Sequence, residues 1–274
     1  MKSILTIAGS DCSGGAGIQA DLKTFSAHGL FGTSVVISVV AENTSRVIDV
    51  QDITTDMIEK QIDSIFEDIE IEAVKIGMLS TAECMEATAK KLKFYNPQNI
   101  VIDPVMYAKN GCALMNPSAI DTLIKTILPL ADVLTPNIPE AEHITGMKIS
   151  STEDMKKAAG LMYDMGCKNV LVKGGHAEGD ATDVLFDGKE YFYFTAPRID
   201  TKNTHGTGCT YSSAIASNLA LGNSLEKSIE NSKKYITNAI KHGANLKIGK
   251  GHGPTHHFYE LYENGLKRGN PSEK

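Results

Sequence analysis

The sequence predicts an α/β protein of one domain, built on a mostly parallel sheet covered on both faces. Three observations carry that reading. Short apolar, β-branched runs alternate along the chain with longer segments of helical period. The runs are apolar on both faces, the pattern of strands buried from two sides. At 274 residues, 42% hydrophobic and 22% charged, the chain can bury a full core without disulfides or structural metal.

In chain order, Ile4–Ala8 reads as the first strand and 16–28 as the helix that follows its glycine loop. Ser34–Val40 is the second strand and 56–66 the next helix. Ala73–Ile76, Ile100–Ile102, Val133–Leu134 and Val170–Val172 continue the strand series, with helices over 82–93, 117–127 and 152–165 between them. The rhythm then changes. Thr182–Phe186, Asp187-Gly188 and Tyr191–Thr195 read as a hairpin whose Asp-Gly pair supplies positive φ angles. Helices follow over 207–221 and 224–242, the second capped by Ser224; Glu226 lies two residues on, which rules out a capping box. No repeat, linker or low-complexity run divides the chain, so residues 1–266 form one domain and the polar tail 267–274 frays.

Composition removes several function classes. There are 27 basic and 33 acidic residues and no long basic run, which argues against nucleic-acid and anionic-membrane partners. The five cysteines, Cys12, Cys84, Cys112, Cys167 and Cys209, contain no C-x-x-C pair, so neither a disulfide framework nor a thiolate zinc site is expected. The longest apolar stretch, Val35 to Ala41, is far below the ~20 residues of a membrane span, and the N-terminal run is too short for a signal peptide. The expectation is a cytoplasmic protein.

In an open parallel sheet, ligands bind outside the carboxyl ends of the strands. Gly9-Ser10-Asp11-Cys12-Ser13-Gly14-Gly15-Ala16-Gly17 follows the first strand but lacks the spacing of a P-loop or a dinucleotide fingerprint. Thr204-His205-Gly206-Thr207-Gly208-Cys209-Thr210 runs straight into a small-residue helix, where converging backbone N–H groups suit phosphate oxygens. Cys209 falls in the first turn of that helix. It is either a nucleophile or base whose pKa the helix dipole lowers, or a small apolar packing residue. Asp103 follows the Ile100–Ile102 strand, Asn137 and Glu140 follow Val133–Leu134, and Lys173 follows Val170–Val172. Each alone suits a cap or turn. Together they form an inventory for phosphate and magnesium, hard oxygen ligands beside a lysine. His28, His143 and His242 are expected to be solvated, and His252, His256 and His257 to be structural.

Taken together, the motifs resemble the ribokinase superfamily, and within it the hydroxymethylpyrimidine/phosphomethylpyrimidine kinases of thiamine biosynthesis. The matching segments are Leu5 to Asp11, Ser13 to Lys23, Lys75-Ile76-Gly77-Met78-Leu79, Thr135-Pro136-Asn137 with Glu140, Lys173-Gly174-Gly175-His176, Asn203 to Thr210, and Gly253-Pro254 with His256-His257. The resemblance implies a ribokinase-like three-layer sandwich, a homodimer, and ATP with Mg2+ as cofactors. It implies that Gly206, Thr207 and Gly208 cradle the transferring phosphoryl group, that Cys209 is the base, and that Lys173 contacts ATP phosphates. Asn137, Thr207 and Gly208 would also bind the nucleotide. Asp103, Asn137 and Glu140 would organise magnesium, while Gly9, Asp21, Glu42 and Met78 would face the pyrimidine.

One departure concerns Glu42, where the family usually carries glutamine. An ionised carboxylate only accepts hydrogen bonds, so the expectation is that Glu42 reads the exocyclic amine with a raised pKa. Pyridoxal or pyridoxine phosphorylation, alone or beside pyrimidine activity, is the alternative. Tyr107-Ala108-Lys109, with Cys112 only later, favours the pyrimidine. A non-catalytic vitamin-binding sensor and a Cys209/His205 thiol hydrolase have less in their favour, because the phosphoryl-transfer residues are intact and no third group orients a Cys-His pair.

Overall fold

The computed structural model describes residues 1–108, 111–175 and 180–264, so Lys109, His176 and the tail expected over 267–274 lie outside the described residues. Strand β1 (Ser3–Asp11) lies inside a nine-stranded sheet and pairs in parallel with β2 (Phe31–Glu42) on one side and β4 (Ala73–Ile76) on the other. β3 (Val47–Asp52) folds back antiparallel on β2 at one edge. Beyond β4 the sheet continues in parallel through β5 (Ile100–Ile102), β6 (Val133–Leu134) and β7 (Val170–Val172). It ends in antiparallel β8 (Ala181–Phe186) and β9 (Tyr191–Ala196), the expected hairpin. The connection from β1 runs first to one side and then to the other, so the switch point of this sheet lies at the carboxyl end of β1.

Alternation along the central strands builds two cores. Leu5 and Ile7 of β1 with Val74 and Ile76 of β4 face one layer, formed by helices α2 (Thr55–Phe66), α3 (Ala82–Tyr95), α5 (Ile138–Thr145) and α6 (Thr152–Asp164). Ile4, Ala73, Val101 and Leu171 face the other, formed by α1 (Gly17–Ala27), α7 (Thr207–Ala220) and α8 (Leu225–Gly243). The three-layer α/β sandwich is the one expected. Side-chain caps fix several starts: Thr54, Thr81, Ser151 and Ser224 each accept a backbone N–H from the first turn.

Four local expectations are corrected. The helix expected over 117–127 is a broken run, with α4 (Ile120–Thr122) between a 3-10 turn at Pro117–Ala119 and a π turn at Leu123–Ile127. Pro129 follows at once and cannot donate the N–H that regular helix needs. In the hairpin, Gly188 alone takes positive φ (+89°); Asp187 instead accepts from the N–H groups of Lys189 and Glu190. β3, α5 and the short α9 (Tyr259–Asn264) were not expected. His28 is half-buried against Tyr235 rather than solvated. Among the described residues no helix is long and apolar enough to cross a membrane.

Candidate active site

A cleft of about 890 Å³ opens at the carboxyl ends of the parallel strands. It is lined by Gly9, Glu42, Met78, Asp103, Asn137, Glu140, Lys173, Gly206, Thr207, Gly208 and Cys209, which are all but one of the expected site residues. The exception is Asp21. It is fully buried in α1, under the cleft floor, where its carboxylate accepts from Lys75 (2.9 Å), Thr6 (2.6 Å) and Ser213 (2.7 Å). Thr6 and Lys75 point to the α1/α7 face of the sheet, and a buried lysine requires this carboxylate. Asp21 therefore reaches the cleft only through Lys75, which is on its wall.

At one end of the cleft, Lys173 Nζ lies 2.6 Å from Asp103 Oδ1, with both side chains almost wholly buried. Burial disfavours the Lys173 cation, but the Asp103 and Glu140 carboxylates outweigh it and raise its pKa. Glu140 is also buried. Burial is the main cause that pushes it up to about 7, with Lys173 opposing and Asp103 adding to the rise. Asn137 and Glu140 form a reciprocal capping box at the start of α5: Asn137 Oδ1 accepts from the Glu140 N–H at 2.9 Å, and Glu140 Oε2 accepts from the Asn137 N–H at 2.8 Å. The cap and the cleft wall are thus the same residues. Beyond Lys173, the Gly174 N–H donates to Asp183, whose other oxygen accepts from Tyr211 and Lys233 (3.0 and 2.6 Å).

Helix α7 is preceded by Gly206 at its N-cap, with no side-chain cap, and Gly206, Thr207, Gly208 and Cys209 at its start line the cleft. Gly206 has φ +75°, and a Cβ there would overlap the carbonyl oxygen of Gly15. At Gly208 a Cβ would sit 3.3 Å from Asp103 Oδ2 and 3.5 Å from Lys173 Nζ, so the bare backbone leaves a cradle between helix end, carboxylate and lysine. Cys209 occupies the first turn and is partly exposed. The expected lowering of its pKa is not what the structure gives. Burial pushes the thiol up to about 11; Asp21 and Asp103 push the same way, and Lys75 and the Gly17 N–H do not offset them.

The other end of the cleft is built on Asp11, the last residue of β1. Its carboxylate accepts from the N–H groups of Ser13 (2.7 Å), Gly15 (3.0 Å) and Ala16 (2.7 Å), and from His205 Nε2 (2.8 Å). Burial alone would raise this acid, but those donors hold it well below the usual carboxylate range. Glu42, at the end of β2, stands against it: burial and the Asp11 charge push it up to about 7, as expected from the sequence in direction. His205 thus turns to Asp11, not to Cys209, which removes the Cys-His pairing a thiol hydrolase needs.

Sequence reasoning did not assign Asp11, Lys75, His205 or the Asp183–Tyr211–Lys233 group. A lysine inside the apolar run Ala73-Val74-Lys75-Ile76 was the available signal for a buried ion pair.

The chain matches the sequence profile described as phosphomethylpyrimidine kinase over residues 11–256. It is 48% identical over 257 residues to the thiamine biosynthesis bifunctional protein ThiED of Geobacter sulfurreducens, covering 93% of this chain and 52% of that longer protein. It is 45% identical over 256 residues to the hydroxymethylpyrimidine/phosphomethylpyrimidine kinase of Bacillus subtilis, covering 93% of this chain and 94% of that protein. The pyridoxal kinase of Staphylococcus aureus, solved with AMP-PCP and pyridoxal, superposes with a TM-score of 0.87 at 35% identity, covering 97% of this chain and 96% of that one. With the ribokinase-like fold, the anion cradle and these matches together, the chain belongs to the phosphomethylpyrimidine kinase family, phosphotransferases of thiamine biosynthesis.

Proposed function

We propose that the chain transfers the γ-phosphoryl group of ATP in line to the hydroxymethyl oxygen of 4-amino-5-hydroxymethyl-2-methylpyrimidine, and in a second round to the resulting monophosphate. The observation that carries this is the uncapped start of α7 facing Lys173 and Asp103 across the bare Gly208. Backbone donors of Gly206, Thr207 and Gly208 hold the transferring phosphoryl oxygens, and Lys173 leaves its contact with Asp103 to meet nucleotide phosphate. The pyrimidine lies against Gly9 and Met78, with Glu42 at its edge.

Cys209 stands beside the substrate hydroxyl and accepts its hydrogen bond. With its pKa pushed up to about 11, the thiol stays protonated near neutrality and does not ionise the hydroxyl beforehand. In a loose transition state the bond to the leaving ADP is largely broken before the hydroxyl proton departs. The proton then leaves on the transferred phosphoryl group.

The all-oxygen donor set fits Mg2+, which when bound neutralises charge on the phosphates. Asp103, Asn137 and Glu140 would hold the ion, directly or through water, with Asn137 Oδ1 and Glu140 Oε2 also engaged in the capping box. The chain works as a homodimer joined through the edge pair β2–β3, whose Val39 and Ile48 are exposed. Five widely spaced cysteines without a C-x-x-C pair fit a reducing, cytoplasmic setting.

Pyridoxal phosphorylation is the second reading, favoured by the TM-score of 0.87 to a kinase solved with pyridoxal. The test is ADP release with magnesium-ATP and, separately, hydroxymethylpyrimidine, its monophosphate and pyridoxal. Turnover of both pyrimidines is expected. Turnover of pyridoxal alone replaces the proposal with the second reading.

A further inference from the structure

Two carboxyl groups meet at the base-reading end of the cleft, and their surroundings are unequal. Asp11 has three backbone N–H donors and the His205 ring directed at it, an arrangement that keeps a carboxylate ionised. Glu42 has no such set. Its carboxyl lies within 4.8 Å of the Asp11 carboxylate, and two carboxylates that close do not both ionise freely; a proton between them relieves the repulsion. The donors around Asp11 decide which of the two carries it. Glu42 takes the proton.

The geometry points to a shared proton on Glu42, held by Asp11 in the free protein, as the donor with which this chain reads a ring nitrogen of its aminopyrimidine, so that loss of the proton weakens binding. The inference rests on the pyrimidine reading above. The edge of a 4-aminopyrimidine offers an N–H donor beside a ring-nitrogen acceptor. A protonated carboxyl matches both, accepting at its carbonyl oxygen and donating from its hydroxyl, as a side-chain amide would. An ionised Glu42 presents two acceptors, and the ring nitrogen then stands against a lone pair. The complex therefore contains one proton at this contact, whether it rests on Glu42 or on the ring.

The groups facing Glu42 support a transition near neutrality. Asp11 at the end of β1 raises its pKa, His205 from the loop before α7 lowers it, and burial together with Asp11 prevails. From the paired strand β3 the charged neighbours are Arg46, which precedes it, and Asp49, both exposed. Lys202 and His252 lie on the same cleft wall. The Cys12 thiol donates to the Glu42 backbone carbonyl, not to the carboxyl. An ion at this corner would have to compete for Asp11 oxygens already taken by four donors.

Isothermal titration of the full chain with 4-amino-5-hydroxymethyl-2-methylpyrimidine tests this from pH 6 to 8.5, in buffers of different ionisation enthalpy. With Glu42 at about 7, Kd should rise approximately tenfold per pH unit above that value. Binding at pH 8 should take up close to one proton per site. Glu42→Gln should bind without pH dependence and without proton uptake. Wild-type binding with a flat Kd and no proton uptake overturns the shared proton and leaves the pyrimidine reading standing. No binding at any pH overturns both. The proton count on the wild-type chain decides the matter even where the variant fails to fold.

Discussion

Replacing Lys173 by methionine tests whether the lysine is held for phosphate at the expense of a buried charge. Lys173 and Asp103 face each other at 2.6 Å with side-chain exposures of 10% and 3%, so the methionine variant leaves a carboxylate buried with no cation beside it. Removing one partner of such a pair costs about 3–5 kcal/mol. At roughly 2–4 °C per kcal/mol for chains near this size, the melting temperature falls by approximately 6–20 °C. The loss has a pH signature. Glu140, already raised to about 7 by burial, loses the Lys173 charge that opposes the rise, and so binds its proton more tightly in the folded state. A raised acid stabilises the fold below its unfolded pKa and loses that contribution as pH climbs through the folded value. The deficit of Lys173→Met against wild type should therefore be smaller at pH 6 than at pH 8. Calorimetry on the wild type, Lys173→Met and the double variant Lys173→Met/Asp103→Asn measures it. The double variant should recover most of the melting temperature, because the orphaned charge has gone. A single variant that melts with the wild type, or a double variant no better than the single, refutes the reasoning.

Other substitutions probe the remaining parts. Cys209→Ala removes the hydrogen bond that orients the substrate hydroxyl and should lower kcat about 10²-fold, and a loss below threefold in a folded variant assigns that role elsewhere. Gly206→Ala forces a left-handed alanine against the Gly15 carbonyl; the strain is about 1–2 kcal/mol before the overlap is counted, and displacement of the cradle should cut kcat about 10²-fold in steady-state assays. Asp183→Asn leaves Lys233 buried without its carboxylate, and urea unfolding should show a loss of about 3–5 kcal/mol together with a higher KM for ATP.

The sheet and most helices were legible because their periodicity is strong and their strands are buried from both sides. β3 was not, since Val47–Asp52 is a largely exposed edge strand without an apolar face. α5 was hidden by its eight-residue length and Pro139, although Asn137 and Glu140, recognised for chemistry, carry the spacing of its capping box. The cleft residues were found from strand ends and from family resemblance. What local sequence could not give was pairing across the chain: nothing near Asp21 announces Lys75, and nothing near Asp11 announces His205. The Cys209 shift was misjudged because a helix start suggests a low pKa, whereas the desolvation that reverses it arises from packing.

The two glycine loops are dovetailed: a Cβ on Gly15 would strike the His205 ring, and one on Gly206 would strike the Gly15 carbonyl. Asp11 and His205, which lock them, are 194 residues apart in the chain. During synthesis, then, the first loop leaves the ribosome long before its counterpart exists. A nascent chain shorter than about two hundred residues has sheet and helices to fold but no means of gripping phosphate. Catalytic competence therefore arrives late, only once the final third of the polypeptide has closed on the first strand.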